Sequence, residues 1–288
     1  MRSGGSPSLI LSGTVEPPET PVRPPLEFAR DAPLVVAHRG ASRAAPGNSL
    51  AAFESAISAG ADAVELDVRR TADGVLVVHH GASRRGTPVS LLTHAELRRR
   101  CRNKPPTLDE AVRLCAGRVM LDIEVKEPGF EPQVLEILEA HVGRRDVLIT
   151  SFHPVAVAAV KALRGDLACG LLIGTARLGR RRRRIETLPL ELAQRCGADF
   201  IAPHQLWLAL RPHSRRRPLA GSTVLAAAHR AGVPVVVWTV NGPARLRRYL
   251  ADPRVAGIIT DLPALAVQLR QISLRAANPS SSQQCPDP

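Results

Sequence analysis

Glu65 and Asp67 stand two apart in the run Ala63-Val64-Glu65-Leu66-Asp67-Val68. On a strand that spacing puts both carboxylates on one face and Val64, Leu66 and Val68 on the other. Two like charges side by side in an interior repel, so a cation must lie between them or one must take up a proton. Arg69 or Arg70 could supply that charge. A divalent metal is the stronger reading, and an all-oxygen ligand set suits a hard ion, Mg²⁺ or Ca²⁺. The run Asp122-Ile123-Glu124-Val125-Lys126 repeats the design. Glu124 would be a third ligand and Lys126 would hold an anionic oxygen, unless the two simply form an ion pair. His38-Arg39-Gly40 follows four apolar residues, and His79-His80 ends another apolar run. A single histidine at a strand end is more often structural than catalytic. Two of them, His38 and His80, beside a metal and cations fit phosphodiester cleavage, with one base, one acid and charge stabilised between them. Arg39 could fork onto phosphate oxygens. His79 alternates with His80 and is expected to face the other way, as packing.

The elements that must bring these residues together alternate along the chain. Strands are expected at Leu34–Ala37, Ala63–Val68, Arg118–Val125, Val147–Phe152, Leu167–Ile173, Asp199–Pro203, Val233–Val240 and Gly257–Thr260. Helical spacing follows each of them, beginning with Leu50, Phe53 and Ile57 behind a cap at Asn48 or Ser49. Thr71-Ala72-Asp73-Gly74 is a turn from which Val75–His80 returns extended. Eight β-then-α units predict a closed (β/α)8 TIM-type barrel in a single domain over residues 31–275. The residues that end each strand would then meet at one mouth: His38, Arg39, Glu65, Asp67, Glu124, Lys126, Ser151, His153, His204, Trp238, Asn241 and Asp261. Residues 1–30 and 276–288 are rich in Pro, Gly and Ser and read as flexible tails.

Composition narrows the setting. Of 288 residues, 44% are hydrophobic and only 3% aromatic, so the core rests on Ala, Val, Leu and Ile. Five scattered cysteines without a CxxC pair argue against a disulfide framework or zinc knuckle. No apolar run reaches the roughly 18–20 residues of a spanning helix. Leu9-Ile10-Leu11 is too short for a secretion signal. A soluble, cytoplasmic protein is expected. The net charge of +13 comes from 39 basic residues, all but three of them Arg. Codon bias explains such a composition; attraction to an anionic partner is the functional reading.

Taken together, His38-Arg39-Gly40, Pro46-Gly47-Asn48-Ser49, Gly60–Val68, Thr71–Gly74, Val77–His80, Pro106–Glu110, Ile123–Lys126, Ser151-Phe152, Val237–Asn241 and Gly257–Pro263 resemble the glycerophosphodiester phosphodiesterase family from about residue 34 to 270. The resemblance implies a TIM-type barrel and metal-dependent hydrolysis of a small-molecule glycerophosphodiester to glycerol 3-phosphate and an alcohol. It implies Glu65, Asp67 and Glu124 as metal ligands, His38 and His80 as catalytic histidines, and Arg39 and Lys126 as phosphate contacts. Trp238 matches an aromatic that lines the glycerol or alcohol side, with barrel packing as its other reading.

Two positions depart from the family pattern. Gly47 stands where an acid is usual, and Gly81 follows His80 where Asp is usual. They keep two other readings open, a lysophospholipase D-like enzyme and a catalytically weakened barrel that binds phosphate esters or membrane surfaces. Gly81–Pro106 is shorter than the subdomain that many members insert there, which predicts a more open alcohol site. Arg177 and Arg180–Arg184, with Arg211 and Arg215–Arg217, form charge runs in loops expected at the mouth. They would attract an anionic substrate or an anionic membrane surface. Nucleic acid is disfavoured because no aromatic residue interleaves the arginines.

Overall fold

The computed structural model describes residues 32–175, 188–209 and 223–277. The Arg-rich runs and the expected tails lie outside these residues, except that residues 276 and 277, expected in the C-terminal tail, end the last helix. The chain enters on β1 (Leu34–His38), crosses by α1 (Leu50–Ser58) and returns on β2 (Ala63–Arg70). An excursion follows: β3 (Leu76–Val78) pairs antiparallel with β2, and β4 (Ser83–Arg84) pairs with β5 (Thr87–Pro88). It closes through α2 (His94–Arg100) and α3 (Leu108–Cys115). Regular alternation then resumes with β6 (Met120–Val125), α4 (Glu131–Glu139), β7 (Val147–Ser151), α5 (Pro154–Leu163), β8 (Ala168–Ile173) and α6 (Leu188–Cys196). The last units are β9 (Phe200–Pro203), α7 (Gln205–Ala209), α8 (Thr223–Arg230), β10 (Val236–Val237), α9 (Pro243–Leu250), β11 (Gly257–Thr260) and α10 (Pro263–Ala277).

Eight parallel strands run in the order β10-β11-β1-β2-β6-β7-β8-β9. Bridges Ile201–Val235 and His204–Trp238 join the two ends, so the sheet is a closed barrel. The eight expected strands are all present, but the seventh is reduced to Val236–Val237. Pro234 has no N–H to give, and only its carbonyl takes part in closure, accepting from Ile201.

The period-two alternation divides each strand between two environments. Val64, Leu66, Ile123, Val125, Ile149 and Leu171 point outward against the helices. Leu34, Val36, Leu148, Phe200, Val236 and Ile259 fill the barrel beneath the polar mouth. Each such side chain, fully buried, contributes about 1.5–3 kcal/mol. The excursion after β3 carries its own small cluster, Val77, Val89, Leu92, Leu97 and Cys101. This floor and these walls fix the height at which the polar strand ends emerge.

Candidate active site

β1 ends by turning sharply. Arg39 and Gly40 take φ of 59° and 78°, and a Cβ on Gly40 would lie 2.5 Å from the Ala52 carbonyl carbon, so only glycine fits. The turn aims the Arg39 backbone N–H at Glu65 Oε2, 2.7 Å away. Asn48 also has positive φ, at 60°. Its amide donates to Asp67 Oδ2 at 2.6 Å, and its oxygen accepts from the Asp67 N–H at 3.2 Å. The α1 cap falls to Ser49, whose hydroxyl accepts from Ala52. Asn48 is therefore free to clamp Asp67.

Parallel register sets β2 against β6 with Glu65 opposite Asp122 and Asp67 opposite Glu124. Ligand atoms of Glu65, Asp67 and Glu124 lie within 4.8 Å of one another, and all three residues are buried. Burial, and then the charges of Asp67 and Glu124, push the Glu65 carboxyl well above its usual range. Burial, and then Asp67, raise Glu124 to about 7 against the pull of Lys126. Burial opposes ionisation of Asp67 too, but hydrogen bonding to His80 and the charges of Lys126, His80 and Arg39 hold it low. Three buried oxygen donors at this spacing, two of them resisting ionisation, could hold a hard divalent cation. Neither Arg69 nor Arg70 bonds to the pair. Arg69 reaches the His80 carbonyl and Glu127, and Arg70 reaches the Gly129 carbonyl and Gln133.

Lys126 Nζ donates to Glu124 Oε1 at 2.5 Å and stands 3.1 Å from Asp67 Oδ1, so the Glu124–Lys126 pair exists within the larger cluster. Asp122, one step below, accepts from Thr150 Oγ1 at 2.8 Å and is lifted to about 7, chiefly by burial.

The two histidines are anchored alike. His38 Nδ1 lies 2.6 Å from Asp261 Oδ1. Asp261 also accepts from Asn241 Nδ2 at 2.6 Å and Ser42 Oγ at 3.1 Å. His80 Nδ1 lies 3.1 Å from Asp67 Oδ2, and its Nε2 is 3.4 Å from Arg39 Nη2. His38 and His80 line a cavity of about 270 Å³ together with Arg39, Glu65, Glu124 and Lys126. Its other wall is apolar, formed by Phe152, Leu172, Trp238 and Ile259. Trp238 packs as well as lines: Nε1 donates to the Ala202 carbonyl at 2.6 Å, and its ring meets Phe152 and His204 edge to face at 5.4 and 4.9 Å. His79 is half-buried away from this set, its Nε2 without a hydrogen-bond partner. Gly47 packs closely beside Arg39; a Cβ there would lie 3.2 Å from Arg39 Cβ and 3.3 Å from Ser42 Cβ, so a side chain would need its neighbours to shift.

The eight residues expected to carry the chemistry, His38, Arg39, Glu65, Asp67, His80, Glu124, Lys126 and Trp238, thus meet at one mouth. Ser42 carries no signal in the sequence; Asn48, expected as a helix cap, instead holds Asp67, Arg69, expected beside the acid pair, instead holds the His80 carbonyl, and Asp261 and Asn241 are expected only as strand-end polar residues. Asn48 carried a signal: it sits in the same Pro-Gly-Asn-Ser run that caps α1. The others are joined to the site only by the fold.

A closed parallel barrel with carboxylate-anchored histidines, buried acids and two cations around one cavity has the layout of a phosphoester hydrolase. The profile of the Glycerophosphoryl diester phosphodiesterase family matches residues 38–265. A glycerophosphodiester phosphodiesterase of Caldanaerobacter subterraneus subsp. tengcongensis is 28% identical over 257 residues, covering 82% of this chain and 97% of that protein. One from Bacillus altitudinis is 29% identical over 264 residues, covering 82% and 98%. The crystal structure of the glycerophosphodiester phosphodiesterase of Thermotoga maritima superposes with a TM-score of 0.66 at 26% identity, covering 83% of this chain and 98% of that one. The chain belongs to the glycerophosphoryl diester phosphodiesterase family.

Proposed function

We propose that this protein hydrolyses glycerophosphodiesters to glycerol 3-phosphate and an alcohol, with a divalent metal bound by Glu65, Asp67 and Glu124. The observation that carries this reading is the pair of histidines, each held through Nδ1 by a carboxylate, on one cavity with those three acids. Arg39 and Lys126 neutralise the phosphate and the charge that develops on it. One imidazole takes the proton of the attacking hydroxyl as it bonds to phosphorus. The other protonates the alkoxide as its bond to phosphorus breaks. Asp261 and Asp67 hold the two rings in one tautomer. When bound, the metal supplies positive charge to the phosphoryl oxygens. Phe152 and Trp238 offer an apolar wall to the carbon skeleton of the glycerol or the alcohol.

The deciding experiment is a panel of glycerophosphocholine, glycerophosphoethanolamine and a lysophospholipid, each with Mg²⁺, Ca²⁺ or chelator. Metal-dependent release of glycerol 3-phosphate from the water-soluble diesters is expected, and His38→Ala and His80→Ala should each lower kcat by about 10²–10⁴-fold. Preference for the lysophospholipid would move the assignment to a lysophospholipase D-like activity. Binding without turnover on every substrate would leave a non-catalytic barrel.

No helix among the described residues is long and apolar enough to cross a membrane. Cys101, Cys115, Cys169 and Cys196 are buried thiols, which supports a reducing, cytoplasmic setting. The Arg-rich runs outside the described residues support contact with anionic lipid surfaces.

A further inference from the structure

His80 is the most exposed of the eight site residues. It follows the three-residue β3, precedes Gly81, and its side chain is 51% exposed. Its ring is held through Nδ1 by Asp67. Its backbone is held as well: Arg69 Nε and Nη2 both donate to the His80 carbonyl, each at 3.1 Å. Arg69 Nη1 pairs with Glu127. The Arg69 side chain is only 11% exposed. Asp67 and Arg69 lie two apart on β2, so one strand face grips both the ring and the main chain of His80. A rigid guanidinium fork fixes a carbonyl in a way that a lysine point charge does not.

We infer that Arg69, braced by Glu127, is a positioning residue that sets His80 for proton transfer; this rests on the acid–base role proposed for His80 above. Stitching the hairpin together does not require Arg69. The β2–β3 ladder already pairs Val68 with Val78, Arg69 with Val77 and Arg70 with Leu76, and Arg70 ties the same strand to Gly129. Nor is Arg69 among the residues that line the cavity. Gly81 adds no side chain that could take over the task.

The test is a double-mutant cycle on glycerophosphocholine hydrolysis with metal present. Arg69→Gln should lower kcat by about 10–100-fold, the scale of a misplacement near 1 Å, with KM unchanged within about twofold. In a His80→Ala background the same substitution should cost nothing more. Arg69→Lys should recover little. The His80 imidazole NMR line, assigned by its loss in His80→Ala, should shift in Arg69→Gln. Glu127→Gln leaves Arg69 in place but unbraced, and should move kcat the same way by a smaller factor, so the test survives if Arg69→Gln fails to fold. An equal loss in both backgrounds, or no loss in either, would overturn the role of Arg69 and leave His80 standing. Full activity in His80→Ala alone would instead overturn the role of His80.

Discussion

At the scale of single residues, the anchoring of His38 gives the sharpest handle on the chemistry. Asp261 is 223 positions away in sequence yet 2.6 Å away in space. Burial opposes its ionisation. Hydrogen bonds from His38, Asn241 and Ser42, with the His38 charge, win and bring its carboxyl down to about 2 from 3.8. A carboxyl lowered on folding adds stability above its unfolded value, and that stability is lost as pH falls through its folded value. Asp261→Asn should therefore be less stable than the parent at pH 6 in urea denaturation, with the difference closing between about pH 4 and about pH 2. Its kcat should fall about 10²-fold or more, because His38 loses the partner that orients its ring. A variant with parental kcat and a pH-independent stability gap would remove Asp261 from the site. That the eight expected site residues converge on one mouth is legible because each stands at a strand end whose periodicity and residue type show locally. The pairing of Asp261 with His38 and of Arg69 with His80 is not, since a carboxylate or guanidinium at a strand end looks the same whether it orients a histidine or meets solvent.

At the scale of elements, the alternation of strand and helix was readable because apolar runs end in polar residues eight times over. The misreadings have local causes. Thr93-His94-Ala95-Glu96 is a capping box, with the Thr93 side chain on the Glu96 N–H and the Glu96 carboxylate on the Thr93 N–H, and it starts α2. That signal is present in the sequence, but His94–Arg100 is too short and highly charged for an apolar periodicity to mark it as a helix. β10 was overextended because Val233–Val240 is apolar enough to be a strand, while Pro234 limits its pairing. The floor of the barrel depends on a contact no periodicity predicts. A Cβ on Gly170 of β8 would lie 2.2 Å from the Phe200 ring, which is 1% exposed on neighbouring β9. Gly170→Ala should cost about 1–3 kcal/mol by overpacking. Phe200→Leu in the same chain should return part of that loss. Urea midpoints for the two single variants and the double variant measure both effects, and additive losses would place the strain elsewhere.

At the scale of the whole molecule, the question is whether the charge of +13 does anything beyond solvation. Within the described residues the mouth itself does not hold the basic excess, because Arg39 and Lys126 face four carboxylates, Glu65, Asp67, Glu124 and Asp261. The excess is concentrated in sequence at Arg177, Arg180–Arg184, Arg211 and Arg215–Arg217. In chain order these runs come after β8 and after α7. If they draw an anionic diester inward, KM should rise several-fold when ionic strength goes from about 0.05 to about 0.5 M while kcat holds, because screening acts on encounter and not on the chemical step. A chain with Arg180–Arg184 replaced by Ser should start at the higher KM and respond less to salt. The same pair of proteins separates a soluble substrate from a lipid surface: co-sedimentation with phosphatidylglycerol vesicles, compared with phosphatidylcholine vesicles, should be lost with the arginines if they touch anionic lipid. Salt-independent KM and no vesicle binding in either chain would assign the arginines to codon usage, and would leave recognition of the phosphate to Arg39 and Lys126 alone.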